Sequence, residues 1–397
     1  MKLALHIGTE KTGTTLLQEW LYHNRDQLSR QGYFLSQKIG FPNNRNIVSY
    51  FRQAPDDFWN RYNIRSEAGK KQFFATFLAD FEAELKEASK THHTLILSSE
   101  HLHSRLHEPE ELDNFAEYCK RTFDETKVIC YLRPQWAVHK SLFSTAVKTN
   151  TSVDFANFND NISAESHYYN YYDLYRRWGE RFGFEAMDFR IYDRNSFASG
   201  DLRRDFIDSV GGKPNVKALD FSIESANESV KLLCAHGLIG INKAVPLFSG
   251  GGVDKRNYYY KSIISNLDVL NAGEIVDEKA GKLADIFRES NTKLAKEAFG
   301  RDTLFAEPET PDKAGETFTA SEVAAIVEKL VYTLTKRTSE RILVDDDAET
   351  LRDVAIKTKA GEPITNEQSL ALMKLAARAR PAGGLIQQRI ADWSKKG

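Results

Sequence analysis

The apolar residues in the first half of the chain form short continuous runs, and helical patterns separate most of these runs. Apolar runs of this length that are bounded by turn residues are typical of strands buried on both faces. They lie at residues 3–7, 32–36, 94–98, 127–132 and 187–192. Strands that alternate with helices predict an α/β fold, in which a parallel β-sheet is flanked by helices.

The helical patterns have apolar residues three and four positions apart, so that one face of each helix is apolar. The clearest pattern covers residues 73–90, and others lie at 112–123, 136–147, 167–183, 202–210 and 230–242. The segment 167–183 is dense in aromatic residues, which we interpret as a helix that packs on the sheet, with a sugar-stacking platform as the alternative. Residues 40–66 show neither the apolar runs of strands nor the spacing of helices. They predict an irregular excursion, which is either a surface loop that serves packing or a segment that faces the substrate.

The chain changes character after residue 306. Residues 306–318 are rich in Pro, Glu and Thr, which is typical of a linker. Capping boxes at Thr319 with Glu322 and at Thr365 with Gln368 begin two later helices, the second ending near Pro381. We therefore expect an α/β domain over residues 1–306, a linker over 307–318 and a helical C-terminal region over 319–397. That region is a candidate for homo-oligomerisation.

Composition excludes several classes of function. The 397 residues carry a net charge of −2, which gives no basic surface for nucleic acid. The three cysteines, Cys119, Cys130 and Cys234, have neither disulfide nor metal-site spacing. No apolar run is long enough to cross a membrane, and the first one leads directly into a loop rather than to a cleavage site. We expect a cytoplasmic protein with free thiols.

The most informative stretch follows the first predicted strand. Residues from Gly8 to Thr15 form a turn rich in Gly and Thr, and a helical pattern begins at Leu16. A strand, a small-residue loop and a helix N-terminus together present amide N–H groups to a phosphate. The loop is not a regular Walker A, because Thr14 occupies the lysine position and Lys11 lies three residues earlier. A lysine at that place would lie near the bridging oxygen of a leaving phosphate.

Further polar residues follow the other predicted strands. Ser98 to His101 end the strand at 94–98, and Arg133 ends the strand at 127–132. Ligands of parallel α/β sheets bind at the carboxyl ends of strands, where these residues converge with the loop. Ser141 lies about two turns along the helix that follows Arg133. An arginine fork with a hydroxyl suits a phosphate monoester.

Both motifs resemble a known family. The run K-x-G-T-T-x-L-Q, from Lys11 to Gln18, resembles the 5′-phosphosulfate-binding loop of sulfotransferases that use 3′-phosphoadenosine 5′-phosphosulfate (PAPS). Arg133 after its strand, with Ser141 eight residues later, resembles the 3′-phosphate motif of the same family. The resemblance covers about residues 1–306 and implies a P-loop NTPase-like sulfotransferase fold of the bacterial cytosolic type.

The resemblance implies a reaction and a set of roles. A sulfuryl group would pass in line from PAPS to an acceptor hydroxyl of a carbohydrate or another hydroxylated metabolite, leaving PAP (3′-phosphoadenosine 5′-phosphate). Lys11 would neutralise the leaving oxygen, and Arg133 with Ser141 would hold the 3′-phosphate. The 5′-phosphate would be held by the amides of Thr12, Gly13, Thr14 and Thr15 and by the hydroxyls of Thr14 and Thr15.

The acceptor hydroxyl needs a general base. Family members place a Glu or a His at the end of the strand between the two nucleotide motifs. Glu100 best fills that position here, with His101 as the second alternative and His103 as the third. No metal is expected, because the scheme needs none and the chain has no regular metal-binding motif. His101, His103 and His107 are close in sequence, but nothing else in the chain completes a metal site with them.

Two other classes of function remain open. A P-loop kinase or nucleotide-binding hydrolase is disfavoured by the missing lysine before Thr15 and by the lack of a clear strand-end Asp for Mg²⁺. A sulfotransferase-fold scaffold without activity is disfavoured by the presence of Lys11, Arg133, Ser141 and Glu100. The glycine run with basic residues at 250–261 is either a mobile loop that closes over an anionic ligand or a solvated loop.

Overall fold

The computed structural model describes residues 1–224, 229–249, 252–309 and 365–379, together with a few single positions in the C-terminal part. The chain divides into two compact units. One comprises Met1–Ser265 with Asn271–Gly315, and the other comprises Asn266–Leu270 with Glu316–Gly397. The sheet and every residue of the candidate site belong to the first unit.

Five strands form one parallel sheet: β1 (Lys2–His6), β2 (Tyr33–Phe34), β3 (Thr94–Ser98), β4 (Thr126–Leu132) and β5 (Met187–Ile191). Their order across the sheet is β2-β3-β1-β4-β5, and every neighbouring pair is parallel. In register, Leu5 of β1 lies between Leu97 of β3 and Val128 of β4. The predicted α/β fold with a parallel sheet is therefore confirmed, and the carboxyl ends of β3, β1 and β4 are adjacent.

Helices connect and cover the strands. Their bounds are α1 (Thr14–His23), α2 (Arg25–Ser29), α3 (Arg45–Phe51), α4 (Asp57–Arg61), α5 (Glu67–Phe73), α6 (Phe77–Ala88), α7 (His101–Ser104), α8 (Pro109–Thr122), α9 (Gln135–Thr149), α10 (Tyr171–Phe182), α11 (Leu202–Val210), α12 (Leu232–Ala244), α13 (Lys255–Ser265) and α14 (Ala280–Phe299). A short antiparallel hairpin, β6 (Phe248–Ser249) and β7 (Gly252–Val253), lies between α12 and α13.

The two faces of the sheet are buried in different cores. Leu3, Leu5 and Ile7 of the first strand region pack in one core with residues of α6, α8, α10 and α14. Ala4, between them, belongs to the opposite core with residues of α1 and α11. Successive residues of a strand point to opposite faces, so a strand that is covered on both sides is apolar throughout. Trp178 of α10 is buried in the first core, as its aromatic pattern indicates.

The predicted helix over residues 73–90 is wrong at its start. Phe73 ends α5, and the next helix begins only at Phe77. Phe74, between the two helices, is buried in a side cluster with Phe58 and Trp59. In the sequence, Phe73 and Phe74 continue the helical spacing of α6. In the structure they lie outside α6, because they pack against the excursion over residues 40–66 rather than against the sheet.

The excursion over residues 40–66 is more ordered than its pattern indicates. It contains α3 and α4, which are too short to show a clear period. Asp56 caps the N-terminus of α4, since its Oδ1 accepts the Phe58 N–H at 3.0 Å. Arg45 of α3 forms an ion pair with Asp56 and a second with Asp57 at 3.1 Å. These contacts fix the excursion without a periodic sequence signal.

The glycine-rich loop predicted over residues 250–261 is largely a helix, because α13 begins at Lys255. Gly250 and Gly251 lie outside the described residues. Lys261 is buried, and its Nζ donates to the carbonyl of Lys148 at 3.2 Å and to that of Thr149. These are carbonyls at the C-terminal end of α9, where a cation is favourable. Lys261 therefore stabilises that helix end and does not belong to a mobile loop.

In the C-terminal region, the second capping box is confirmed. The Gln368 N–H donates to Thr365 Oγ1 at 3.2 Å, and the Thr365 N–H donates to Gln368 Oε1 at 3.2 Å. The helix that follows covers Asn366–Ala379. The capping box at Thr319 with Glu322 and most of the predicted linker lie outside the described residues.

Among the described residues, no helix combines the length and the apolar character needed to cross a bilayer. The cysteines are free, as their spacing predicts; Cys119 and Cys130 are buried and Cys234 is half-buried.

Candidate functional site

The loop between β1 and α1 is fixed to the neighbouring strand at its start. The Tyr131 N–H donates to the Gly8 carbonyl at 2.8 Å, and the Thr9 N–H donates to the Tyr131 carbonyl at 3.1 Å. Gly8 has a φ of 101°, and a Cβ there would lie 3.0 Å from the Glu100 Cα. Glycine is therefore required where the loop passes between the ends of β3 and β4.

The second half of the loop turns into α1. Thr12 is buried and its hydroxyl donates to the Thr9 carbonyl at 2.6 Å, which closes the turn. Gly13, in a left-handed conformation, is the N-cap of α1, and its carbonyl accepts the Leu17 N–H at 3.1 Å. The amides of Thr14, Thr15 and Leu16 precede that first bond, as the unpaired N–H groups of a helix N-terminus do. Thr14 is buried and Thr15 is exposed, so the two hydroxyls differ in access.

Lys11 and Arg133, which carry the cations of the two predicted motifs, are in contact through the main chain of Lys11. Arg133 Nη1 donates to the Lys11 carbonyl at 3.1 Å. Lys11 Nζ donates to Thr145 Oγ1 at 2.6 Å, and the Thr145 hydroxyl lies 3.4 Å from the Ser141 carbonyl one turn earlier in α9. The structure therefore brings the loop, the end of β4 and the Ser141 face of α9 to one place.

Charge in this place is concentrated and partly desolvated. Burial lowers the pKa of Lys11, as do Lys148 and Arg133, while Glu10 and Glu100 act in the opposite direction. Burial also lowers the pKa of Arg133, although a guanidinium remains charged at any physiological pH. Its guanidinium carbon lies 5.8 Å from the ring centre of Tyr192, a cation–π distance. Cations that converge in a partly buried site favour an anionic ligand.

Glu100 and His101 lie at the carboxyl end of β3, beside the loop. Glu100 Oε2 accepts from Gln18 Nε2 at 2.7 Å, and burial raises the pKa of Glu100 despite that bond. His101 Nε2 is 4.0 Å from Glu100 Oε1 and 3.3 Å from Asn43 Nδ2. Burial, together with the charge of Arg45, lowers the pKa of His101 to about 4, so its ring is neutral at physiological pH.

His103, the third candidate base, is placed differently. Its side chain is buried, and Nε2 lies 3.0 Å from the Tyr168 carbonyl. Burial lowers its pKa to about 3. His107 stacks on His167 with ring centres 4.0 Å apart. Within the described residues, no group of three or more His, Cys, Asp or Glu side chains is arranged to hold a metal ion.

A cavity of about 620 Å³ adjoins the N-terminus of α1. Gly13 and Leu16 line it from the loop and from α1, and Tyr192, Phe197 and Leu202 are among its other lining residues. A Cβ on Gly13 would lie 2.7 Å from Leu202 Cδ2, so glycine permits this close approach. Cavities of this size hold small organic ligands.

Sequence reasoning missed several residues of the site, and it named Gln18 only as the last residue of the loop motif, without a role. Gln18, the partner of Glu100, follows Thr14 by four residues on α1, and Thr145 follows Ser141 by four residues on α9. Residues four apart lie on one face of a helix, so this spacing was the available signal. Tyr192 directly follows β5, the strand beside β4. Glu10 and its partner Tyr168, 2.9 Å apart between carboxylate and hydroxyl, had no sequence signal.

Two known proteins are similar to parts of this chain. No known family model matches the sequence. The chain is 29% identical over 181 residues to an uncharacterized protein of Archaeoglobus fulgidus, a match that covers 45% of this chain and 48% of that protein. The chain therefore spans about half the length of that relative. It is also similar to the crystal structure of a sulfotransferase from Alicyclobacillus acidocaldarius, with a TM-score of 0.36 and 14% identity over 68% of this chain and 98% of that one.

Proposed function

We propose that this site binds PAPS and transfers its sulfuryl group to an acceptor hydroxyl. The observation that carries the proposal is the contact between Arg133 Nη1 and the Lys11 carbonyl. This contact supports the proposal because one nucleotide could then reach both residues: Lys11, on the loop that would hold the 5′-phosphosulfate, and Arg133, which with Ser141 would hold the 3′-phosphate. With a basic residue in only one of these places, the site would not distinguish PAPS from any other mononucleotide.

Binding of the 5′-phosphate rests on the loop and α1. The amides of Thr14, Thr15 and Leu16 and the positive end of the helix dipole suit a phosphate. The Thr12 hydroxyl is bonded to the Thr9 carbonyl, so Thr12 contributes its amide and the shape of the turn. The adenosine would occupy the cavity of about 620 Å³ that begins at Gly13, where Tyr192 and Phe197 offer aromatic surfaces.

The reaction requires little covalent work from the protein. The acceptor oxygen forms a bond to sulfur as the bond from sulfur to the bridging phosphate oxygen breaks, and PAP leaves. Lys11, which is held beside Arg133 by its own carbonyl, neutralises charge that develops on the bridging oxygen. By analogy with phosphoryl transfer, positioning and charge stabilisation supply the rate enhancement.

The acceptor proton would pass to Glu100, with His101 as the alternative. Burial raises the pKa of Glu100, which makes its carboxylate a better proton acceptor than an exposed one. The bond from Gln18 leaves Oε1 of the same carboxylate for the acceptor side. The neutral ring of His101 could accept a proton as well, so Glu100→Gln and His101→Gln should be compared by transfer rate; the base is the residue whose loss removes the transfer step while PAP binding persists.

A hydroxylated ring compound, such as a carbohydrate, is the acceptor class that we propose. Phe41 is 62% exposed, and its ring packs edge-on against Tyr22 with centres 4.6 Å apart. Phe41 precedes Asn43, the neighbour of His101, by two residues. Two residues span at most about 7 Å, so an apolar platform stands near the candidate bases.

Thermal shift tests the nucleotide assignment. A ligand that binds only the folded state raises the melting temperature in proportion to the logarithm of its concentration. We expect PAP to do so and ATP with Mg²⁺ to have little effect; the reverse order would favour a P-loop kinase. Transfer from labelled PAPS to glycans and cell extracts then tests catalysis, and PAP binding without any transfer would favour a scaffold.

A further inference from the structure

Gln18 is a polar residue in the part of α1 that is otherwise buried by apolar packing. Its side chain is buried, and Leu17 and Leu21 of the same helix belong to the core beneath it. Buried amides in folded proteins are hydrogen-bonded, because an unpartnered one is costly. Gln18 Nε2 donates to Glu100 Oε2 at 2.7 Å, and the carbonyl and the hydroxyl of Ser98 lie at a longer 3.4 Å. Gln18 therefore joins α1 directly to the candidate base.

The surroundings of Gln18 decide which end of its amide faces Glu100. A backbone carbonyl can only accept, so the amide NH2 group, and not the amide oxygen, lies toward the Ser98 carbonyl. The Ser98 hydroxyl is itself held, 2.8 Å from Nδ1 of the buried His6. Burial lowers the pKa of His6 to about 3, so its ring is neutral and can accept from that hydroxyl. Buried groups of β1 and β3 thus fix Gln18 as a donor to Glu100.

The two oxygens of the Glu100 carboxylate consequently differ. Oε2 accepts the Gln18 amide, and a proton on that oxygen would compete with the amide hydrogen. Oε1 lies on the side of His101, 4.0 Å from its Nε2. The Glu100 side chain keeps 16% of its surface exposed, so an acceptor can still reach the carboxylate.

We propose that Gln18 is a positioning residue, which holds Glu100 by Oε2 so that Oε1 takes the proton of the acceptor hydroxyl. The inference rests on the proposed sulfuryl transfer with Glu100 as the base. Gln18 touches neither the nucleotide nor the acceptor in this role and acts only through Glu100. The proton moves from the acceptor oxygen to Oε1 as that oxygen forms its bond to sulfur.

The pH–rate profile of Gln18→Met tests this role. Methionine is unbranched and of similar length, but it has no donor for Glu100. A donor favours the ionised carboxylate, so its loss should raise the pKa of Glu100 and move the acid limb of transfer to higher pH. We expect a displacement of about one pH unit, which is about a tenfold loss of rate below the limb. PAP affinity should stay unchanged, and an acid limb that does not move would overturn the role of Gln18.

A second measurement needs no activity. Burial makes the ionised form of Glu100 unfavourable in the folded chain, and the Gln18 donor offsets part of that effect. At pH 7, Glu100→Gln should therefore stabilise the Gln18→Met chain more than it stabilises the wild type, as measured by urea unfolding. Equal gains in the two backgrounds would contradict the proposed contact. The other charged or titratable groups that face Glu100 stay the same in every variant: Glu10, Lys11, Arg45 and His101.

Asn24→Leu is the matched control for a purely structural defect. Asn24 is a buried amide at the C-terminal end of α1, and its Nδ2 donates to the Trp20 carbonyl at 3.0 Å and to the Asp220 carbonyl at 2.8 Å. Its loss should lower the free energy of unfolding and leave the acid limb in place. A limb that moves equally in both variants would assign the displacement to general loosening and would refute the role of Gln18.

PAP titration and Glu100→Gln keep this result separate from the nucleotide proposal. A wild-type chain that binds PAP and transfers, with an acid limb that ignores Gln18→Met, refutes the role of Gln18 alone. Transfer that survives Glu100→Gln also refutes that role, because the base is then His101, while the nucleotide assignment stands. A wild-type chain that binds no PAP refutes the proposed function itself.

Discussion

Replacing Gly13 with alanine is the sharpest test of the loop geometry. Gly13 has a φ of 75°, where an L-residue costs about 1–2 kcal/mol relative to its ordinary conformations. The added Cβ would also lie 2.7 Å from Leu202 Cδ2 and 3.2 Å from the Tyr192 hydroxyl. Overpacking of this kind costs about 1–3 kcal/mol. We therefore expect Gly13→Ala to lower the free energy of unfolding by about 2–5 kcal/mol.

Urea unfolding followed by tryptophan fluorescence measures this loss, and Gly240→Ala is the matched control. Gly240 lies within α12, and a Cβ there would meet nothing within 4 Å. Alanine in a helix interior is favoured over glycine by about 0.5–1 kcal/mol, so the control should be slightly stabilised. Glycine-to-alanine substitution should therefore change the free energy of unfolding in opposite directions at the two positions. In parallel, Gly13→Ala should weaken PAP binding, because the displaced Leu202 and Tyr192 line the cavity beside the loop.

A Gly13→Ala chain that unfolds within about 0.5 kcal/mol of the wild type, the ordinary scatter of neutral surface changes, would refute this reasoning. It would mean that the left-handed turn is not maintained or that Leu202 moves aside freely. The cavity could then not have the close wall on which the adenosine assignment depends.

Four further substitutions have expected outcomes. Lys11→Ala should abolish transfer, while PAP affinity falls by about tenfold or less. Arg133→Ala should weaken PAP binding by about 1.5–3 kcal/mol, the contribution of a charged hydrogen bond. Calorimetry measures the PAP affinity of both variants, and a normal affinity in the Arg133 variant would place the 3′-phosphate elsewhere. Because burial raises the pKa of Glu100, its ionised form opposes folding. Glu100→Gln should therefore stabilise the chain at pH 7, and the gain should vanish as the pH falls below that pKa; a constant gain would contradict the cause. Burial lowers the pKa of His6 from its ordinary 6.5 to about 3, so the unfolded state binds the extra proton between these values. Stability should fall as the pH is lowered through that window, by up to about 1.4 kcal/mol per pH unit, and a His6→Gln variant should lose that part of the dependence in urea titrations.

The strands could be predicted because their pattern is local. A strand that is covered on both faces is mostly apolar, and residues 95–97 and 128–132 are apolar and buried throughout. The α13 helix could not be predicted, because a glycine run precedes it and its apolar residues do not repeat on one face. What fixes its orientation is the contact of Lys261 with carbonyls at the end of α9, more than 110 residues earlier.

At the site, too, local patterns could be predicted and long-range contacts could not. Lys11 and Arg133 were predicted from their places after strands, and topology brings strand ends together without further information. Thr145 is 134 residues from Lys11, and Tyr168 is 158 residues from Glu10. These pairs depend on how a helix and a loop pack over the sheet, which no periodicity in the sequence records.

The position of β1 between β3 and β4 has a consequence for biosynthesis. The strand leaves the ribosome long before its partners, since β3 begins at Thr94 and β4 at Thr126. At about 5–20 residues per second, translation of the intervening chain takes on the order of ten seconds. During that interval an apolar strand with both edges unpaired is exposed to other nascent chains and to chaperones. Codon choice and chaperone supply over this interval should therefore govern the yield of folded protein.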